Sequence, residues 1–69
     1  MAHEDLSPRE RDVVRLVAEG KTNHQIGRET RLALATVKHY VANAMHKAGV
    51  DNRTSLAVWK LENEAKGRE

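Results

Sequence analysis

The stretch Thr22-Asn23-His24-Gln25-Ile26-Gly27-Arg28-Glu29-Thr30-Arg31-Leu32-Ala33-Leu34-Ala35-Thr36-Val37-Lys38-His39 holds two helix starts separated by a short connector. Thr22 supplies an N-cap oxygen, and Gln25 is spaced to reach back and close a capping box. This grammar predicts a short helix over residues 22–29, with Ile26 as its main core residue. Gly27 lies inside that helix, where glycine costs about 1 kcal/mol relative to alanine. So short a helix has little stability to spare, which predicts a close approach of another helix backbone at Gly27. After Arg31-Leu32-Ala33 a longer helix fits residues 34–48, because Leu34, Val37, Val41, Ala44, Met45 and Ala48 recur as one apolar stripe. Gly49 followed by Val50 then gives a left-handed stop with an apolar residue beyond it. Lys38, His39, Ala42, Asn43, His46 and Lys47 fall off the stripe, leaving a basic, hydrogen-bonding outward face.

Outward from this pair, Ser7-Pro8-Arg9-Glu10 is a further capping box with proline at the first helical position. It predicts a helix over residues 8–19, ended by Gly20, with Val13, Val14, Val17 and, at the flank, Leu16 turned inward. Asp51 or Asn52 can cap a fourth helix over residues 53–65, with Lys66-Gly67-Arg68-Glu69 as a fraying tail. Alternating apolar and polar residues are missing, so no strand competes, and the fold expected is all-α with four helices. Two helices joined by a few residues, with a small residue permitting a close crossing, make a helix-turn-helix. The second of the pair is then the one expected in a DNA major groove.

With 69 residues the chain is read as one domain over residues 1–69, with residues 6–65 ordered. It has no cysteine, hence neither a disulfide framework nor a thiolate metal site. No apolar run is long enough to span a bilayer and the N-terminus lacks signal-peptide character, so a cytoplasmic location is expected. The formal charge is only +2, but it is unevenly spread: no Asp or Glu lies between Thr30 and Val50, where Arg31, Lys38 and Lys47 stand. Local charge of that kind suits a polyanion. His39 and His46 are spaced seven apart, not at the four-residue interval of a helical zinc pair, so no metal is expected. Neither a glycine-rich phosphate loop nor a nucleophile constellation occurs, so the chain is not read as an enzyme. No cofactor or small-molecule ligand is expected in it.

Leu6-Ser7-Pro8-Arg9-Glu10-Arg11, Ala18-Glu19-Gly20, Thr22-Asn23, Gln25-Ile26-Gly27, Thr36-Val37-Lys38, Val41, Asn43, Lys47-Ala48-Gly49-Val50 and Arg53-Thr54 together resemble the LuxR (GerE-like) type of bacterial helix-turn-helix domain. The resemblance runs from Leu6 to Leu61 and implies a bacterial, nucleoid-associated transcription regulator that binds double-stranded DNA sequence-specifically. It implies base-edge contacts from Lys38, His39 and Ala42. Lysine can donate to guanine O6 and N7, histidine can donate or accept, and alanine can meet a thymine methyl. Phosphate contacts are implied for Thr22, Asn23, Thr36, Tyr40, Asn43, Lys47 and Arg53, which set register without reading sequence. It further implies a homodimer through the fourth helix on a near-palindromic site, and RNA polymerase as a candidate partner. In that dimer Leu56, Trp59, Lys60 and Asn63 would form the outer face, while Ala57, Val58 and Leu61 pack inward; Trp59 is equally compatible with the core.

The chain departs from that family at Ala33-Leu34-Ala35, where a serine cap followed by glutamate and lysine is usual. Loss of the cap typically costs about 1 kcal/mol, and loss of the cation lowers DNA affinity. Thr30, Ala44 and Ala48 replace larger aliphatics, leaving space that Leu34 would fill by turning inward. Ala33, Leu34 and Ala35 favour a second reading, a helical protein-interaction adaptor that keeps the fold with weak or lost DNA binding, while Lys38, Lys47 and the acid-free stretch oppose it.

Overall fold

The computed structural model describes residues 6–67 and contains four helices: α1 (Pro8–Ala18), α2 (Asn23–Thr30), α3 (Leu34–Ala48) and α4 (Arg53–Gly67). Both capping boxes form. The Ser7 hydroxyl accepts from the Glu10 N–H at 3.2 Å while the Ser7 N–H donates to Glu10 Oε1 at 2.9 Å. Thr22 and Gln25 repeat the exchange at 3.1 and 2.8 Å. Asn52, not Asp51, caps α4, its Oδ1 accepting from the Ser55 N–H at 2.8 Å. The helix runs to Gly67, two residues past the end expected at 65; Arg68 and Glu69 lie outside the described residues.

α1 is the central element, packed against α2, α3 and α4. Its Val13, Val14, Leu16 and Val17 are buried together with Ile26 of α2, Val37, Val41, Ala44 and Ala48 of α3, and Leu56 of α4. Leu6, Leu32, Tyr40, Met45, Val50, Ala57 and Trp59 close over this cluster from its edges. Leu34 does not fill the space beside the small alanines: it stays half-buried in the first turn of α3, outside the set that packs on the core.

The turn between α2 and α3 explains Gly27. Arg31 adopts a left-handed conformation (φ 61°), which costs a non-glycine residue about 1 kcal/mol, and the chain doubles back so that the Leu32 N–H donates to the Gly27 carbonyl at 3.0 Å. A Cβ on Gly27 would stand 2.9 Å from the Leu32 carbonyl oxygen and 3.8 Å from Val37 Cγ2. The close approach predicted at this glycine is thus made by the connector's own carbonyl and not by another helix backbone. α3 starts at Ala33 without any side-chain cap and ends at Gly49 (φ 74°), where the Val50 N–H donates to the Met45 carbonyl at 3.0 Å and Val50 folds onto the core.

Candidate nucleic-acid interface

α3 has a sharp division of faces. Val37, Val41, Ala44 and Ala48 point into the core, while Ala35, Lys38, His39, Ala42 and His46 are exposed on the opposite side. The 3.6-residue period produces this split, since positions 35, 38, 39, 42 and 46 lie on the side away from 37, 41, 44 and 48. The three residues expected at base edges, Lys38, His39 and Ala42, therefore share one open surface on a helix that carries no carboxylate. Neither a hydrogen bond nor an ion pair engages Lys38 among the described residues. Asn43 Nδ2 lies 3.1 Å from His39 Nε2, one turn along the same face.

The expected phosphate contacts form no single row. The Thr22 hydroxyl accepts from the Gln25 N–H in its cap, and its own O–H stays available to donate. Arg53, in the first turn of α4, donates to Asn23 Oδ1 at 2.7 Å and to the Lys21 carbonyl at 2.6 Å, so Thr22, Asn23 and Arg53 are gathered where α2 begins. Thr36 and Tyr40 are half-buried along α3, and the Tyr40 ring packs on the core with its centroid 6.2 Å from that of His39. Lys47 lies at the other end of α3, and its ammonium is 2.9 Å from Glu10 Oε1 of α1.

Sequence reasoning took Glu10 as a cap alone. Glu10 is 4% exposed, and its carboxylate accepts from both Ser7 N–H and Lys47 Nζ. Burial pushes its carboxyl up, but the hydrogen bonds from Lys47 and Ser7 outweigh that, and the group stays below the ordinary glutamate range. Partners 37 positions apart leave no local signal. A buried-side glutamate in a helix's first turn was the one available hint of a distant cation.

On α4 the expected dimer face is largely reversed. Leu56 is fully buried in the core and Trp59 is half-buried against it, whereas Val58 (48% exposed) and Leu61 (54%) face outward. Lys60 is paired with Glu64 at 3.8 Å and Asn63 donates to the Trp59 carbonyl at 2.8 Å, so both are tied within their own helix. The reason is phase: α1 takes Leu56 as its anchor, and a helix anchored there must present 58 and 61 on its far side. Among the described residues no helix is long and apolar enough to cross a membrane, and no group of three or more histidine and carboxylate side chains gathers at metal-binding distance.

The model of the family "Bacterial regulatory proteins, luxR family" (GerE) matches residues 4–60. The transcriptional regulatory protein LiaR of Bacillus subtilis (strain 168) is 41% identical over 63 residues, which cover 91% of this chain and 30% of LiaR. The DNA-binding transcriptional activator DevR/DosR of Mycobacterium tuberculosis is 42% identical over 57 residues, covering 83% of this chain and 26% of that protein. The chain thus spans less than a third of the length of these relatives. Among solved structures, the response regulator ChrA of a heme-sensing two-component system matches with a TM-score of 0.83 and 28% identity over 93% of this chain and 32% of that one. The transcription factor GerE matches with a TM-score of 0.78 over 88% of this chain and 92% of its own; at 22% identity this likeness speaks for the fold alone. With its four helices, its two capping boxes and its carboxylate-free third helix, the chain belongs to the luxR family of bacterial regulatory proteins, as a helix-turn-helix DNA-binding domain of the transcription-regulator kind.

Proposed function

We propose that the domain binds double-stranded DNA sequence-specifically by laying α3 in the major groove, with Lys38, His39 and Ala42 toward base edges. The observation that carries this reading is the open α3 face: Lys38 and His39 stand exposed, opposite the buried Val37, Val41, Ala44 and Ala48, on a helix without a carboxylate. Lys38 is the main base reader, as an unpaired donor able to reach guanine O6 and N7. Thr22, Asn23 and Arg53 supply backbone contacts where α2 begins, and Thr36, Tyr40 and Asn43 do so along α3.

A homodimer through α4 extends this reading, addressing two half-sites of a near-palindrome about one turn of DNA apart. Its apolar contact is formed by Val58 and Leu61, the two large hydrophobic side chains that are exposed among the described residues.

Fluorescence-anisotropy titration of random and selected duplexes over a range of salt tests the proposal. Binding is expected to weaken steeply as salt rises. Lys38→Ala is expected to cost about 1–3 kcal/mol on the selected site while leaving random duplex nearly unaffected. Complete absence of binding at low salt would favour the adaptor reading, to which the uncapped, apolar start of α3 at Ala33-Leu34-Ala35 lends support.

A further inference from the structure

We infer that Glu10 withdraws Lys47 from the DNA-facing charge of α3 and so sets how strongly the domain binds duplexes regardless of their sequence. The inference rests on the DNA reading above and deepens it. α3 carries two lysines that differ in state. Lys38 is exposed, whereas the Lys47 side chain is only 25% exposed and its ammonium lies 2.9 Å from a carboxylate that is itself nearly buried. That carboxylate cannot follow the lysine outward, because the same Oε1 accepts the Ser7 N–H at 2.9 Å and closes the α1 capping box. Moving Lys47 to a phosphate would therefore strand a buried anion, a far larger penalty than one exposed backbone contact returns. Lys47 is thus a strut between the start of α1 and the last turn of α3, and Glu10 is a positioning residue for the recognition helix. Screening this cation lowers the sequence-independent part of the affinity and leaves the base-reading face untouched, so it weakens binding to specific and random duplexes about equally.

The test compares wild type, Glu10→Gln, Lys47→Met and the double variant E10Q/K47M by anisotropy with random duplex across a salt series, with circular dichroism to verify folding. Glutamine retains the oxygen that closes the capping box but leaves the charge of Lys47 uncompensated. Glu10→Gln is expected to steepen the salt dependence by about 0.9 in log K against log salt. Lys47→Met should leave the wild-type slope unchanged, and the double variant should return to it. Should Lys47→Met strand Glu10 and unfold, the single glutamine and double variants still decide. A slope made shallower by about 0.9 in Lys47→Met, with Glu10→Gln like wild type, would mean that Lys47 contacts a phosphate and would overturn the inference alone. Absence of binding by all four proteins would overturn the DNA reading and this inference with it.

Discussion

The Leu32 carbonyl oxygen occupies the space a side chain on Gly27 would need, 2.9 Å from where a Cβ would stand. A backbone atom cannot swing aside as a side-chain tip can, and this one is fixed by the Leu32 N–H bond to the Gly27 carbonyl. Gly27→Ala gains about 1 kcal/mol of helix propensity but must open the α2–α3 connector. The net result expected is a loss of about 1–3 kcal/mol, the usual range for overpacking. Urea denaturation monitored by circular dichroism measures it, and a variant as stable as wild type would show that the turn is more compliant than its geometry implies.

Ala33 has the backbone of a capping residue without the side chain. Its φ and ψ of −63° and 150° nearly match those of Ser7 (−68°, 163°) and Thr22 (−78°, 164°), both of which cap. Ala33 is exposed, so a hydroxyl there meets no packing obstacle. Ala33→Ser is expected to stabilise the domain by about 1 kcal/mol through a bond to the free amides of the first turn. Thermal unfolding should show a raised Tm, and no gain would mean that those amides already have partners.

Helix existence was legible in this sequence because its signals are local. Ser7 with Glu10 and Thr22 with Gln25 mark starts, Gly20 and Gly49 mark ends, and the α1 and α3 stripes follow one period. The exposure of Lys38, His39 and Ala42 follows from that same period. Contacts between distant residues were not legible. Glu10 reads as a cap and Lys47 as an outward cation until α1 and α3 are packed, and Arg53 gives no sign that it will hold Asn23 and Lys21. The phase of α4 failed for a third reason. Leu56-Ala57-Val58-Trp59 is an unbroken apolar run, so no stripe distinguishes the inward side, and only docking on α1 decides for Leu56.

That phase separates two leucines on one helix. Leu56→Ala removes a fully buried side chain and is expected to cost about 2–5 kcal/mol, whereas Leu61→Ala, at a site 54% exposed, should change the stability of the monomer by less than about 0.5 kcal/mol. The order reverses for association: replacing Val58 and Leu61 by glutamate should abolish the proposed dimer while leaving the fold intact. Analytical ultracentrifugation with parallel denaturation curves tests both halves. Dimers that survive the double glutamate variant would place the interface elsewhere.

Acid stability should be governed in part by Glu10. Burial disfavours its charged form, yet the bonds from Lys47 and the Ser7 N–H more than compensate, so its folded pKa lies below that of the unfolded chain. A carboxyl shifted in that direction contributes stability that is fully present above the unfolded value, about 4.3 for glutamate, and is lost as pH falls through the lower folded value. Below about pH 4.3 the native state therefore loses this contribution, because protonation both removes the attraction for Lys47 and leaves that ammonium half-enclosed beside a neutral acid. Glu10→Gln lacks the titrating group, so it should be less stable than wild type at neutral pH, and the difference between the two should shrink as the solution is acidified. Unfolding curves at a series of pH values from neutral to 3 measure this directly. A gap that is constant over the whole series would mean that the carboxylate contributes through its shape and cap, and not through its charge.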